Sequence, residues 1–179
     1  MPAFESKIVN PDSHEEMPTG EPGELWVRGA HVIRGYLNRE EATAETIING
    51  WLRTGDMARK DEDDFIYIVD RIKDMVLRGG ENIYCAEVES AIFDHVDVAE
   101  CTVFGVADDR LGEEVGIAVF LKPGATASAD TLREHCATQL AKFKVPRYFW
   151  FVEESLPRNA SGKFLKRELR DSLDVKDAH

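Results

Sequence analysis

DRIKDMVLRGGENIYCAEVE, residues Asp70 to Glu89, opens with charges at short spacing, Asp70, Arg71, Lys73 and Asp74. Met75, Val76 and Leu77 are long enough for one arm of a hairpin. Gly79-Gly80 follows as a turn where positive φ costs little. Ile83 and Tyr84 form the return arm. Ala86 then begins an amphipathic helix to His95, with Val88, Ala91, Ile92 and His95 on one face at spacings of three and four. A hairpin running into a helix in this way starts a domain of mixed class.

Working outward toward the C-terminus, the pattern stays regular. Glu100–Val106 predicts a strand and Asp108-Asp109 a turn. Val115–Leu121 is nearly all apolar, as a central strand would be, and Pro123-Gly124 stops it. Ser128 or Asp130 caps a helix running to Lys142 that buries Leu132, Cys136, Leu140 and Phe143. Tyr148–Val152 is a third strand, Pro157–Gly162 a loop, and Leu165, Leu169 and Leu173 line a last short helix. Two main helices on one face of a short sheet make residues 70–179 a small α+β domain of about 110 residues.

Toward the N-terminus the reading is sparser. Ser6–Val9 and Glu24–Arg28 predict short strands, and Asn38 caps a helix over Arg39–Ile47. Met57–Lys60 and Phe65–Val69 form a strand pair around the acidic turn Asp61–Asp64. Residues 1–69 are β-rich but carry too little apolar content for a core of their own. Trp26, Tyr36 and Trp51 are therefore expected to be exposed unless they dock on the second domain or on another copy of the chain.

Of the 179 residues 43% are hydrophobic and 31% charged, as in a soluble globular protein, and the net charge of −12 argues against a nucleic-acid surface. No apolar run is long enough to span a membrane, and no signal peptide opens the chain. Cys85, Cys101 and Cys136 are odd in number and widely spaced, which suits a reducing cytosol better than a disulfide framework. No histidines show ligand spacing with a third group, so no metal site of the chain's own is expected.

The pattern DRxKD…GGENIYxxEVE resembles the hinge and first hairpin of the C-terminal domain in adenylate-forming enzymes: acyl-CoA synthetases, peptide-synthetase adenylation domains and beetle luciferases. It is most similar to the acyl-CoA synthetase branch. GELWVRG from Gly23, Gly35-Tyr36, Gly50-Trp51 and Thr54-Gly55-Asp56 resemble the closing motifs of that family's large N-terminal domain, and Met1-Pro2 an internal position within it. The resemblance runs from about Pro2 to Leu173. It implies that the chain is the C-terminal part of a longer protein. Residues 1–69 would be an incomplete remnant of the adenylating domain, able to self-associate, and residues 70–179 a mobile C-terminal lid domain.

The resemblance also implies roles. Alone, Asp56 reads as a turn aspartate; in the family it accepts bonds from both ribose hydroxyls of ATP, a task that suits an acceptor-only carboxylate. Arg71 would contact the nucleotide, where a planar fork with fixed charge serves better than lysine. Lys73 matches the hinge. Gly79, Gly80, Glu81 and Asn82 would form the hairpin tip that borders the pantetheine tunnel of CoA, and Phe143 and Arg147 would hold the CoA nucleotide. Val145 stands where some aryl-CoA ligases carry a basic residue. Lys163, closing Leu156-Pro-Arg-Asn-Ala-Ser-Gly-Lys163, would be the catalytic cation bridging the substrate carboxylate and the α-phosphate.

The expected parent is therefore a cytoplasmic ATP-dependent acid–CoA ligase of fatty-acid metabolism. It would use a small-molecule carboxylic acid, ATP, CoA and Mg²⁺, the ion being held mainly outside these residues, which alone would be inactive. An adenylation domain that loads a carrier protein, or a non-catalytic lid module, are the alternatives.

Overall fold

A computed structural model describes residues 4–179, so the reading of Met1-Pro2 lies outside the described residues. The chain divides into two compact units, with the division between Lys73 and Asp74.

The first unit is an antiparallel sheet of β1 (Glu5–Val9), β2 (Gly23–Arg28), β3 (Ile47–Ile48), β4 (Trp51–Lys60) and β5 (Ile66–Arg71). β4 is its axis: β2 pairs along one edge, while β3 and β5 share the other. Ile8, Leu25, Val27 and Ala58 make a small core beneath Met17, Val32, Leu52 and Ile66. Asp61 closes the β4–β5 turn by accepting from the amides of Asp63 and Phe65.

Two expectations need correcting here. Asn38 is not the helix cap. It sits at φ 55°, turning the chain, and α1 (Glu40–Thr46) starts from Arg39, whose carbonyl takes the Thr43 amide. Trp26 is not exposed. It is 3% accessible, because His14 tilts against it at 5.2 Å, the Lys7 and Arg53 side chains lie over its ring, and its indole N–H donates to Glu24 at 2.9 Å. Polar side chains of the same unit do the covering that was expected only from the second domain or another copy of the chain. Tyr36, at 46%, is exposed as expected.

In the second unit β6 (Val76–Arg78) and β7 (Glu81–Ile83) form the hairpin, followed by α2 (Cys85–Phe93), β8 (Val98–Asp108), β9 (Gly112–Leu121), α3 (Ala129–Ala137), β10 (Tyr148–Val152) and α4 (Lys166–Ser172). β9 is central, antiparallel to β8 and parallel to β10. Strand alternation sends Val115, Ile117 and Val119 to one face, under α2 and α3 with Val88, Ile92, Leu132, Cys136 and Phe149. Ala118 faces the other way, with Phe104, Trp150, Leu156 and Leu169 of α4. The sheet is thus covered on both faces.

α2 ends two residues before His95, and α3 ends at Ala137 rather than Lys142. The Thr138 hydroxyl bonds the His135 carbonyl at 2.7 Å, drawing off an acceptor at the helix end. Leu140 and Phe143 still reach the core, Phe143 from a 3₁₀ turn over Lys142–Lys144. Of the two candidate caps, Ser128 is the one used: its hydroxyl accepts the Thr131 amide.

Candidate functional site

Asp56 lies on a bulge. Between the pairs Glu24↔Met57 and Trp26↔Arg53, β2 spends one residue and β4 spends three, Thr54, Gly55 and Asp56. Hydrogen bonds hold the bulge: the Thr54 hydroxyl donates to the Leu25 carbonyl at 2.8 Å, the Gly55 amide donates to Glu24 Oε1 at 3.3 Å, and the Gly55 carbonyl accepts the Ile72 amide at 3.0 Å. Gly55 has φ 73°, which a glycine adopts without strain. Asp56 faces Arg71 across the β4–β5 ladder, and Arg71 Nε donates to Asp56 Oδ1 at 3.0 Å. The structure therefore brings these two sequence-predicted residues into one ion pair. A cleft of about 420 Å³ next to them is lined by Glu24, Arg53, Thr54, Gly55, Arg71 and Lys73 among others.

Glu24 escaped the sequence reading. It is 2% exposed and takes Arg53 at 3.0 Å, the Trp26 indole and the Gly55 amide. Its only signal was position: a glutamate inside the apolar strand of GELWVRG. Lys73 is exposed in the turn after β5, the last residue before the division of the chain.

The hairpin tip is narrower than expected. Gly79 and Gly80 alone make the turn, with φ 59° and 89°, the two positive values of a type I′ turn. Glu81 and Asn82 belong to β7, paired with Arg78 and Leu77, and both are exposed. The two-residue turn matches the twist of the strands, so the following residues continue the ladder. Nothing lies within 4 Å of a Cβ built on Gly80.

Arg147 precedes β10, and its guanidinium stands 3.5 Å from Glu114 and 3.7 Å from Asp108. Phe143 is half-buried and packs on the main core, and the neighbouring Lys144 pairs with Glu87 at 2.7 Å. The structure links Arg147 with the hairpin through Glu114, while Phe143 packs on the core that also takes Val76 and Ile83 of the hairpin base. Arg78, Glu113 and Glu114 had not been singled out: an arginine and two glutamates in strands read as solvated charges until pairing shows where they meet.

Lys163 stands on a loop fastened by hydrogen bonds. Asn159 Oδ1 accepts the Ser161 and Lys163 amides at 2.9 and 3.0 Å, the Arg158 guanidinium donates to the Gly162 carbonyl, and Arg158 pairs with Glu100 at 3.0 Å. The Lys163 side chain is exposed and makes no ion pair among the described residues. Its neighbour Lys166 contrasts: it bonds Glu89 at 2.9 Å, and although burial disfavours its charge, its electrostatic interactions with Cys85 and Glu89 outweigh that and raise its pKa. The Lys163 loop follows Leu156 on the α4 side of the sheet, whereas Val76 and Ile83 of the hairpin belong to the α2–α3 side.

Residues 87–163 match the family described as AMP-binding enzyme C-terminal domain, and residues 1–37 match AMP-binding enzyme. The chain is 44% identical over 173 residues to a 2-succinylbenzoate–CoA ligase of Bacillus cereus, covering 97% of this chain and 35% of that one. It is 43% identical over 175 residues to the mitochondrial medium-chain acyl-CoA ligase ACSF2 of Mus musculus, covering 97% and 28%. The chain thus spans about a third of the length of the curated relatives it matches. Among solved structures, ATP-bound MatB from Rhodopseudomonas palustris superposes with a TM-score of 0.90 at 35% identity, over 96% of this chain and 34% of that one. The o-succinylbenzoate CoA synthetase of Bacillus subtilis with its acyl-adenylate OSB-AMP gives 0.86 at 39% identity, over 95% and 34%.

Proposed function

This chain belongs to the AMP-binding, adenylate-forming enzymes, with the α+β C-terminal domain of that family, and on that premise we propose that it is the C-terminal part of an ATP-dependent acid–CoA ligase. In the first half-reaction a carboxylate oxygen attacks the α-phosphorus of ATP and pyrophosphate leaves. In the second the CoA thiol sulfur attacks the acyl carbon, the thiol proton is lost, and AMP leaves with the electron pair of the broken C–O bond.

The observation that carries this reading is Lys163: an ammonium with no ion pair among the described residues, held out on a loop fastened by Asn159 and Arg158. Such a cation is free to offset the negative charge that both reactants bring to phosphoryl attack. Asp56 would take the ribose hydroxyls with its open oxygen while Arg71 orients the other. Lys73 would be the pivot, the Gly79–Gly80 tip with Glu81 and Asn82 would border the pantetheine arm, and Phe143 and Arg147 would meet the CoA nucleotide. Mg²⁺ would accompany ATP. The curated relatives' names specify unlike acids, 2-succinylbenzoate and medium-chain acyl groups, so the acid is left open. A cytoplasmic site of action and self-association through residues 1–69 belong to the same proposal; light scattering of the purified chain tests the latter.

The test is single-turnover kinetics of each half-reaction in the ligase that carries these residues. Lys163→Ala should slow adenylation on the order of 10²–10³-fold, the scale for one preorganised charge, and largely spare thioester formation from supplied acyl-adenylate. Gly80→Leu should do the reverse. Equal slowing of both steps by both variants would refute the assignment.

A further inference from the structure

The second unit holds a buried carboxylate with two arginines on it. Glu114 of β9 is 2% exposed. Arg78 takes both of its oxygens, Nε to Oε2 at 2.7 Å and Nη2 to Oε1 at 3.0 Å, a bidentate fork. Arg147 reaches Oε1 from 3.5 Å and Asp108 from 3.7 Å, and its side chain is 54% exposed. Its guanidinium also lies over the Tyr148 ring, and its carbonyl accepts from Arg133.

Arg78 is the last residue before the glycine turn, so the fork acts on the hairpin tip. Val76 and Ile83 root the base of the hairpin in the core, but its ladder to β9 is a single pair, Arg78↔Gly112. Nearer the tip, the Leu77 amide donates to Glu113 at 2.8 Å and the Gly79 amide to the Leu111 carbonyl at 2.8 Å. Glu113 lies across Gly105 of β8, where a Cβ would fall 2.5 Å from its carboxyl carbon. Three-residue strands do not hold a hairpin by themselves. These contacts hold the tip, and Glu114 supplies the ion pair among them.

We propose that Glu114 is a positioning residue that sets the Gly79–Gly80 tip and the Arg147 guanidinium in one fixed relation. The two arginines are held unequally. Arg78 is bound short and by two bonds; Arg147 is bound long, from a more exposed position. Arg147 can therefore turn to an anionic ligand without leaving the buried carboxylate unpaired, because Arg78 stays. The tip and the anion-binding guanidinium then meet the two ends of one ligand, a thiol arm and its phosphates. This last step rests on the CoA reading of the tip and Arg147; the clasp itself does not.

The test uses the 179-residue chain with Glu114→Gln, Arg78→Met and Arg147→Met. NMR measures exchange of the Gly79 amide and of the Arg147 Nη1 hydrogens, which face Glu114, and calorimetry measures CoA binding. Glu114→Gln and Arg78→Met should each speed Gly79 exchange at least about tenfold, the scale of one lost charged hydrogen bond, and leave the Ile117 and Val119 amides of β9 unchanged. Arg147→Met should leave Gly79 exchange alone. Exchange of the Arg147 Nη1 hydrogens should quicken in Glu114→Gln and slow in Arg78→Met, where the freed carboxylate closes on Arg147. Unchanged Gly79 exchange in Glu114→Gln, or equal acceleration at Ile117 and Val119, would overturn the proposal. With CoA, Glu114→Gln and Arg147→Met should both weaken binding. A wild-type chain that bound no CoA while the exchange pattern held would overturn the ligand assignment and leave the clasp standing.

Discussion

Burial and pairing set opposite tasks for the ionisable residues of the second unit. Burial alone would favour the neutral form of Glu114, but the bonds and charge of Arg78, with Arg147 behind, outweigh it and lower its pKa. Asp108 is lowered by the Leu111 and Arg110 amides that it caps, with a smaller part from Arg147. The folded state therefore binds these protons less readily than the unfolded chain. The stability they contribute is complete above the ordinary carboxylate range and lost as pH falls through the lowered folded values. Thermal melts should show acid destabilisation of the wild type that is reduced in Glu114→Gln; parallel pH profiles would count against this. The thiols lie on the other side of neutrality. Burial pushes Cys101 up to about 12, helped by Glu89, and Cys136 up to about 11. Folded protein should resist iodoacetamide at Cys101 and Cys136 at pH 8 and react there once denatured, as peptide mass spectrometry would show. Between their unfolded and folded pKa values the unfolded state holds fewer protons, so stability should also fall as pH rises past the ordinary thiol range.

Among the elements, α3 and the glycine hairpin depend most on single residues. α3 begins where Ser128 accepts the Thr131 amide at 3.2 Å, with Asp130 in its first turn. Ser128→Ala should cost about 1 kcal/mol in urea denaturation, the usual loss of a serine cap, with the slope of the transition unchanged. At the hairpin, both glycines have positive φ, so any side chain strains the turn by about 1–2 kcal/mol. The two then differ: a Cβ at Gly79 would meet Leu111 at 3.2 Å, while one at Gly80 points into open space. That difference makes Gly80 the better probe of ligand passage, since its bulk disturbs the ligand path more than the packing.

At the scale of the whole molecule, the chain holds together as two units joined at Lys73-Asp74. Asp70 and Arg71, from which the sequence reading started the second domain, are paired in β5 with Met57 and Asp56, so both belong to a strand of the first unit. Lys73 is exposed in the turn that follows. Trypsin under limiting conditions should cut after Lys73 before Arg71, and the second unit should persist as a stable product. Early cleavage inside β8 or β9, read by mass, would contradict the two-unit division.

Much of this was legible in the chain itself. The apolar run Val115–Leu121 between turn residues, the helical spacing of Val88, Ala91 and Ile92 and the Gly79-Gly80 turn determined the elements, because composition, period and turn chemistry are local properties of the chain. The motifs around Asp56, Arg71 and Lys163 carried the family for the same reason: each is a short run whose residue types stand side by side. The tertiary structure alone decided what distant residues do to each other. It placed Glu24 under the Thr54–Asp56 bulge, Glu114 between Arg78 and Arg147, and α4 on the face of the sheet opposite α2 and α3. It also ended α3 early and covered Trp26 with Lys7, His14 and Arg53. Partners 29 or 36 residues apart leave no periodic trace. A charged residue in a strand looks the same in sequence whether it faces water or a buried counter-charge, and only the pairing of strands settles which.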